Sequence, residues 1–291
     1  MKASYPDLSE KLQKSEFWLS AIAVGLTIIQ LNLNWKLLGN TDTVTTRFLY
    51  WAAILYLVWK KRAILSLKSD LFSSLSGLLI IFLILFKTTS LFWFESFFIR
   101  FSPLFLFLGL GLIASGIKGL KQYKQEFMIL ILLLTEGVLT SVISTTVDVS
   151  LISAKFTNFL LWYLGFEVSR QGVIVSLPTG AIEIYPGCSG LNVMILLFQF
   201  SLVFLAIFPF KNVVQKISLP IISIIIAFIF NSFRIILMAL LVAASNDEGF
   251  AYWHGEPGGQ IFSTVSILAF GFVCNIYYEK MKTLDVASEN Q

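Results

Sequence analysis

The chain has 291 residues, of which 57% are apolar, 15% aromatic and only 13% charged, and its mean hydropathy is +0.82. A soluble globular domain carries about twice that charge fraction, and a disordered chain is poor in these apolar residues. Composition therefore excludes both and requires a polytopic membrane protein. The net charge of +4 fits charges flanking membrane spans rather than a nucleic-acid surface, so no nucleic-acid partner is expected.

Two cysteines and one histidine are too few for a disulfide framework or for a zinc or haem centre built from several His and Cys ligands. No metal and no cofactor is expected. A helical span takes about 20 residues. Apolar segments at roughly 17–35, 44–59, 71–87, 101–117, 127–144, 191–209, 217–244 and 259–278 predict an all-α fold of about eight transmembrane helices. The chain then forms one integral membrane domain, with residues 1–144 as a five-span part. Segment 17–35 does not read as a cleaved signal peptide, because Ala21-Ile22-Ala23 lies too early in the apolar run and many spans follow.

Lysines and arginines set the expected orientation. With the N-terminus inside, the inner loops carry Lys2, Lys11, Lys14, Lys60, Lys61, Arg62, Lys68, Lys118, Lys121, Lys124, Lys211, Lys216, Lys280 and Lys282. The outer side carries Lys36, Arg47, Lys87, Arg100, Lys155 and Arg170. This excess places both termini in the cytoplasm.

Residues 145–190 break the pattern on the outer side. Residues 149–165 read as an interfacial helix presenting Phe156, Phe159, Leu160, Trp162 and Tyr163. Residues 172–177 and 181–185 flank Pro178-Thr179-Gly180 and read as a β-hairpin. The hairpin leads into Pro186-Gly187-Cys188-Ser189-Gly190, where the sixth span starts.

Cys188 sits where a tight turn feeds a helix N-terminus. Free N–H groups and the helix dipole there stabilise a thiolate. The same amides, those of Ser189 and Gly190 among them, suit an oxyanion. The plain alternative is a buried cysteine beside a helix cap. Arg234 lies within an apolar span, ten residues before Ala244 and so about 15 Å below its outer end. A charge at that depth is functional by default. The alternative is an arginine that snorkels or pairs with a structural acid such as Glu136. Asn231 shares its helix face.

His254 is the sole histidine, on the outer loop before the last span, and suits proton transfer near neutral pH. The alternative is a solvated loop histidine. Cys274 lies 16 residues beyond Gly258, about 24 Å down the last helix, where it packs and cannot bond to Cys188. A cysteine nucleophile, a histidine acid/base and an arginine on one side of the membrane make a coherent acyl-transfer set.

At Gly187-Cys188-Ser189-Gly190, Asn231-Ser232-Phe233-Arg234, and His254 followed by Gly258 and Phe262, the chain resembles the exosortase family, and within it the cyanoexosortase branch. These motifs cover residues 183–265, and the resemblance implies a catalytic core at 188–265. The resemblance implies an integral membrane cysteine protease and transpeptidase. Its partners would be membrane lipids and proteins bearing a C-terminal Pro-Glu-Pro (PEP-CTERM-type) sorting signal. Cys188 would be the nucleophile, His254 the proton carrier and Arg234 the transition-state stabiliser.

The substrate's glutamate would pair with Arg170 or Lys155, against the alternative of ordinary interfacial charge. Glu183 and Tyr185 would line the approach, or lie on the hairpin surface. The competing readings are a transporter of an anionic substrate using Arg234, a non-catalytic scaffold, and a lipid-directed cysteine acyltransferase. Nothing in the sequence sets an oligomeric state.

Overall fold

The computed structural model describes residues 15–38, 41–89 and 96–289. Lys2, Lys11 and Lys14, used above for orientation, lie outside the described residues. Each of the eight apolar segments falls in a helix. In chain order these are α1 (Ser15–Leu38), α2 (Thr41–Lys61), α3 (Leu71–Thr89), α4 (Ser96–Gly119) and α5 (Lys124–Thr146). Three more helices, α7 (Leu191–Ile207), α8 (Val213–Ala243) and α10 (Glu256–Glu289), lie beyond the extramembrane region. Among the described residues, four stretches are long and apolar enough to cross a membrane: Leu71–Thr88, Arg100–Thr146, Val213–Ala243 and Glu256–Thr283. Trp18–Asn32 and Leu191–Ile207 are shorter apolar helices. The fold is therefore predominantly helical and of the multi-pass type.

The chain divides into two compact units between Leu134 and Thr135, within α5, ten residues before the sequence division at 144. In the N-terminal unit, α3 packs closely along α4, with Ile81, Ile84, Leu106 and Leu110 buried together with Leu26 of α1. At the end of α2, Lys61 Nζ donates to Glu126 Oε2 at 2.8 Å and to the Gln122 carbonyl at 2.9 Å, and lies 2.7 Å from Glu126 Oε1. Glu126 is fully buried. Removing one partner of such a pair strands a charge, at a cost of about 3–5 kcal/mol. Lys61→Ala is therefore expected to lower the melting temperature of the detergent-solubilised protein clearly. Lys61→Met with Glu126→Leu should restore it; a single variant that melts like wild type would show that the carboxylate has another partner.

The C-terminal unit holds the extramembrane part. Asp148 caps α6 (Val149–Tyr163) by accepting from the Leu151 amide at 2.9 Å. Its small and polar stripe Ser150, Ser153, Ala154 and Thr157 is buried, while Phe159, Trp162 and Tyr163 are exposed, as an interfacial helix requires.

The expected hairpin is a three-stranded antiparallel meander. β2 (Ile174–Leu177) and β3 (Gly180–Glu183) pair as read from the sequence, and β1 (Ser169–Gln171) adds an edge to β2. The extra strand was hidden because Ser-Arg-Gln carries no apolar alternation to mark it. Val175, Ile182 and Ile184 face inward onto Ala154 and Leu161 of α6 and Ile235, Met238 and Ala239 of α8. Burying each aliphatic side chain contributes about 1.5–3 kcal/mol, enough to fix the sheet on the C-terminal part of α8.

Candidate active site

Cys188 ends a 3₁₀ turn, Pro186–Cys188, between β3 and α7. The turn is closed by the Cys188 amide donating to the Tyr185 carbonyl at 2.9 Å. Three features then lock the backbone after the cysteine. Asn231 Nδ2 of α8 donates to the Cys188 carbonyl at 2.9 Å. Ser153 Oγ of α6 donates to the Ser189 carbonyl at 3.0 Å. Gly190 takes φ +85°, and a Cβ there would lie 2.6 Å from Asn231 Cγ.

A left-handed conformation costs a non-glycine residue about 1–2 kcal/mol, and the collision falls on the clamp itself. Gly190→Ala is expected to reduce activity at least tenfold and lower the melting temperature. A variant with unchanged activity would show that the turn tolerates losing the Asn231 clamp.

Two of the residues singled out in the sequence, Asn231 and Ser189, have main-chain partners in this region. Asn231, read as sharing a helix face with Arg234, turns its Nδ2 to the Cys188 carbonyl and fixes the backbone there. The Ser189 amide is directed at the Pro186 carbonyl, at 3.3 Å, as is its Oγ, at 2.8 Å. Both are consequences of the 3₁₀ turn, which folds these groups back on Pro186.

His254 is not in a loop. It is the last residue of a short helix, α9 (Asp247–His254), capped by Asn246, whose side chain accepts from the Gly249 amide at 2.8 Å. The helix fixes the imidazole from two sides. Phe250, one turn earlier, stacks on it with centroids 5.1 Å apart and planes at 12°. Tyr185 meets it edge-on, with its hydroxyl 2.8 Å from His254 Nε2.

Arg234 reaches the carbonyl end of the same helix. Its Nε donates to Trp253 O at 2.9 Å and its Nη2 to His254 O at 2.8 Å. The guanidinium thus meets the orphan carbonyls and negative dipole end of α9, and that is how its charge is accommodated. Gly258 completes the corner. A Cβ there would come within 2.4 Å of the Trp253 Cα, so only glycine lets α10 start this close to α9.

Cys188 and His254 open onto one cavity of about 370 Å³. Tyr185, Ile184, Met238 and Phe250 contribute to its walls, and Glu183 and Asp247 place carboxylates on it. Tyr185 and Glu183, two apart along the strand direction, are the exposed members of that edge. Of the two cations read as partners for a substrate carboxylate, Lys155 is exposed on α6. Arg170 instead donates from Nη1 to the Gly172 carbonyl at 2.6 Å and closes the β1–β2 turn.

Burial and the hydrogen bond to Cys188 both hold the Tyr185 phenol above its ordinary range, the hydrogen bond most strongly. Cys274 is a buried free cysteine in the cluster of Phe270 and Leu219 and is not among the residues that line this cavity.

Residues 38–271 match the family model of the transmembrane exosortases. The chain belongs to the exosortase family. The match spans every element of the site, from the turn at Cys188 through Arg234 to the corner at Gly258, and also α2 to α5, starting at the last residue of α1. It is to the exosortases as a whole and assigns no branch within them. No similar protein was found among curated sequences, and none among solved structures.

Sequence reasoning missed the exosortase site's supporting residues. Phe250 and Ser153 carry no motif. Phe250 was findable, because Asn246-Asp247-Glu248 followed by His254-Gly255 has the cap, acidic first turn and terminal glycine of a short helix. On that helix, positions 250 and 254 share a face.

Proposed function

We propose that this exosortase is a cysteine transpeptidase acting at the outer face of the plasma membrane on proteins with a C-terminal Pro-Glu-Pro-type sorting signal. Its eight apolar segments serve as spans, with both termini in the cytoplasm. The observation that carries the reading is that Cys188 and His254, 66 positions apart in sequence, open onto one cavity at a membrane-helix end.

The Cys188 thiolate attacks the scissile carbonyl. The cationic Arg234, held against the two α9 carbonyls, favours through its charge the oxyanion that develops. The imidazolium of His254 protonates the leaving amine, giving an acyl-enzyme. An acceptor amine or water then takes the acyl group and releases the thiolate. The anion-carrier reading loses ground here, because Arg234 directs its Nε and Nη2 at backbone carbonyls of α9.

The test is a processing assay. The protein is co-expressed with a reporter bearing a Pro-Glu-Pro-type C-terminal signal, and the reporter's size is followed on a gel. Wild type should shorten it and Cys188→Ala, at equal membrane level, should not. Shortening by the alanine variant would sink the nucleophile assignment.

A further inference from the structure

We propose that the substrate is held as a fourth strand on the open edge of β3, its backbone paired with Ala181, Glu183 and Tyr185 and its reactive carbonyl delivered to Cys188. The inference rests on the substrate reading above and says how the sorting signal is gripped.

The sheet order β1–β2–β3 leaves β3 with a single partner strand. Its pairing with β2 decides which main-chain groups are free. The Ile184 amide donates to the Val173 carbonyl at 3.0 Å. In an antiparallel ladder, successive residues alternate between facing the partner strand and facing away. In this register, with Val175 opposite Ile182 and Ser176 opposite Ala181, positions 182 and 184 face β2, and positions 181, 183 and 185 face outward. The Tyr185 carbonyl accepts from the Cys188 amide at 2.9 Å. The amides of Ala181, Glu183 and Tyr185 and the carbonyls of Ala181 and Glu183 have no hydrogen-bond partner among the described residues. All three residues are exposed. An open strand edge is a template for a further strand, and adding one is a general way to bind an extended peptide.

The space beside this edge fits that occupant. The cavity of about 370 Å³ runs along residues 181–185 and reaches Cys188. Ile235, Met238 and Val242 of α8 give it an apolar wall, and Phe250 and His254 of α9 complete it. Gly180 lies against Val242, and the turn at Cys188 is tied to Asn231. The edge therefore follows α8 for about 16 Å, the length of about five extended residues. A chain that enters at the Val242 end, the outer end in the topology proposed above, runs parallel to β3 and brings the residues before the scissile bond along the edge.

The spacing of the signal suits this edge. Residues two apart on a strand turn their N–H groups the same way. Both prolines of a Pro-Glu-Pro segment then point their missing donors away from β3, as an edge strand allows. The central residue keeps its amide and carbonyl for the pairing. Glu183 and Asp247 line the cavity and no lysine or arginine does, so the grip here is on the backbone and not on the signal's carboxylate.

Two measurements on the full-length protein test this. The first compares Glu183→Pro with Glu183→Ala at equal membrane level. Both remove the carboxylate, and only proline removes the outward amide. That amide takes no part in the β2–β3 ladder, so the two variants should melt alike. Glu183→Pro should process the reporter at least about tenfold more slowly than Glu183→Ala, the scale of leaving a hydrogen-bond partner unpaired. Equal rates overturn the proposal.

The second decides where Glu183→Pro fails to accumulate. Glu183→Cys is made with Cys188→Ala and Cys274→Ala, so that the reporter stays uncleaved and position 183 holds the sole thiol. Reporters carry one cysteine each, at successive positions across the signal. Side chains of a strand alternate between faces, so disulfides should form at every second position. Equal trapping at successive positions, or none with a signal that wild type processes, overturns the proposal. A signal that wild type does not shorten, or that Cys188→Ala still shortens, instead brings down the reading on which the proposal rests.

Discussion

Cys188→Ala is expected to abolish reporter processing, with a loss of about 10⁴-fold or more, because removing the nucleophile of a covalent mechanism removes the pathway and leaves only binding and charge stabilisation. Cys188→Ser should be nearly as inactive. An alcohol ionises far more weakly than a thiol, so serine supplies little nucleophile in the same place. The backbone clamps from Asn231 and Ser153 hold main-chain carbonyls and survive both substitutions, so the variants should insert and melt like wild type. Cys274→Ala is the control. It opens a small void in the α7, α8 and α10 core and should leave processing within a few-fold. The serine variant also supplies a control, since reporter held by wild type as a hydroxylamine-sensitive thioester should vanish in it. Processing that persists in Cys188→Ala would assign the chemistry to another group.

The outline of the fold was legible because membrane spans announce themselves by apolar length, and every segment read that way is helical. The chemistry-bearing positions were legible for the opposite reason. A cysteine in a Gly-Cys-Ser-Gly turn, an arginine in an apolar run and a sole histidine stand out against a background of 57% apolar residues. What the sequence hid was their wiring. Nothing in Asn231 says that its amide turns toward the Cys188 carbonyl rather than along the face it shares with Arg234, because that depends on Gly190 letting α7 start against α8. Nothing in Tyr185 separates a surface residue of a strand from one whose hydroxyl meets His254 Nε2, because that depends on where the distant helix α9 packs. The sequence offers Glu136 or a snorkelled position as the plain alternatives for Arg234, and its partners are two backbone carbonyls from α9, a helix in the stretch that reads as a loop.

That last difference sets the sharpest test of what Arg234 does. If it served only as a positive charge, Arg234→Lys would be mild. The geometry predicts otherwise. A guanidinium presents donors in a rigid fork, whereas an ammonium is a compact point charge on a flexible stem. Lysine at 234 would lack the paired donors that reach Trp253 O and His254 O at 2.9 and 2.8 Å together. The end of α9 would loosen, and His254 would lose the register that brings Nε2 to Tyr185.

Arg234→Lys is therefore expected to lose about 10²–10³-fold in turnover, the scale of removing a preorganised electrostatic group, and to approach Arg234→Ala. Substrate affinity should change little, because Arg234 does not line the cavity. Added guanidine should partly restore turnover to Arg234→Ala and do nothing for the lysine variant, whose side chain occupies the space. If Arg234→Lys instead stays within about threefold of wild type, the two carbonyl bonds are dispensable and charge alone stabilises the oxyanion, since a lysine keeps the charge while losing the fork.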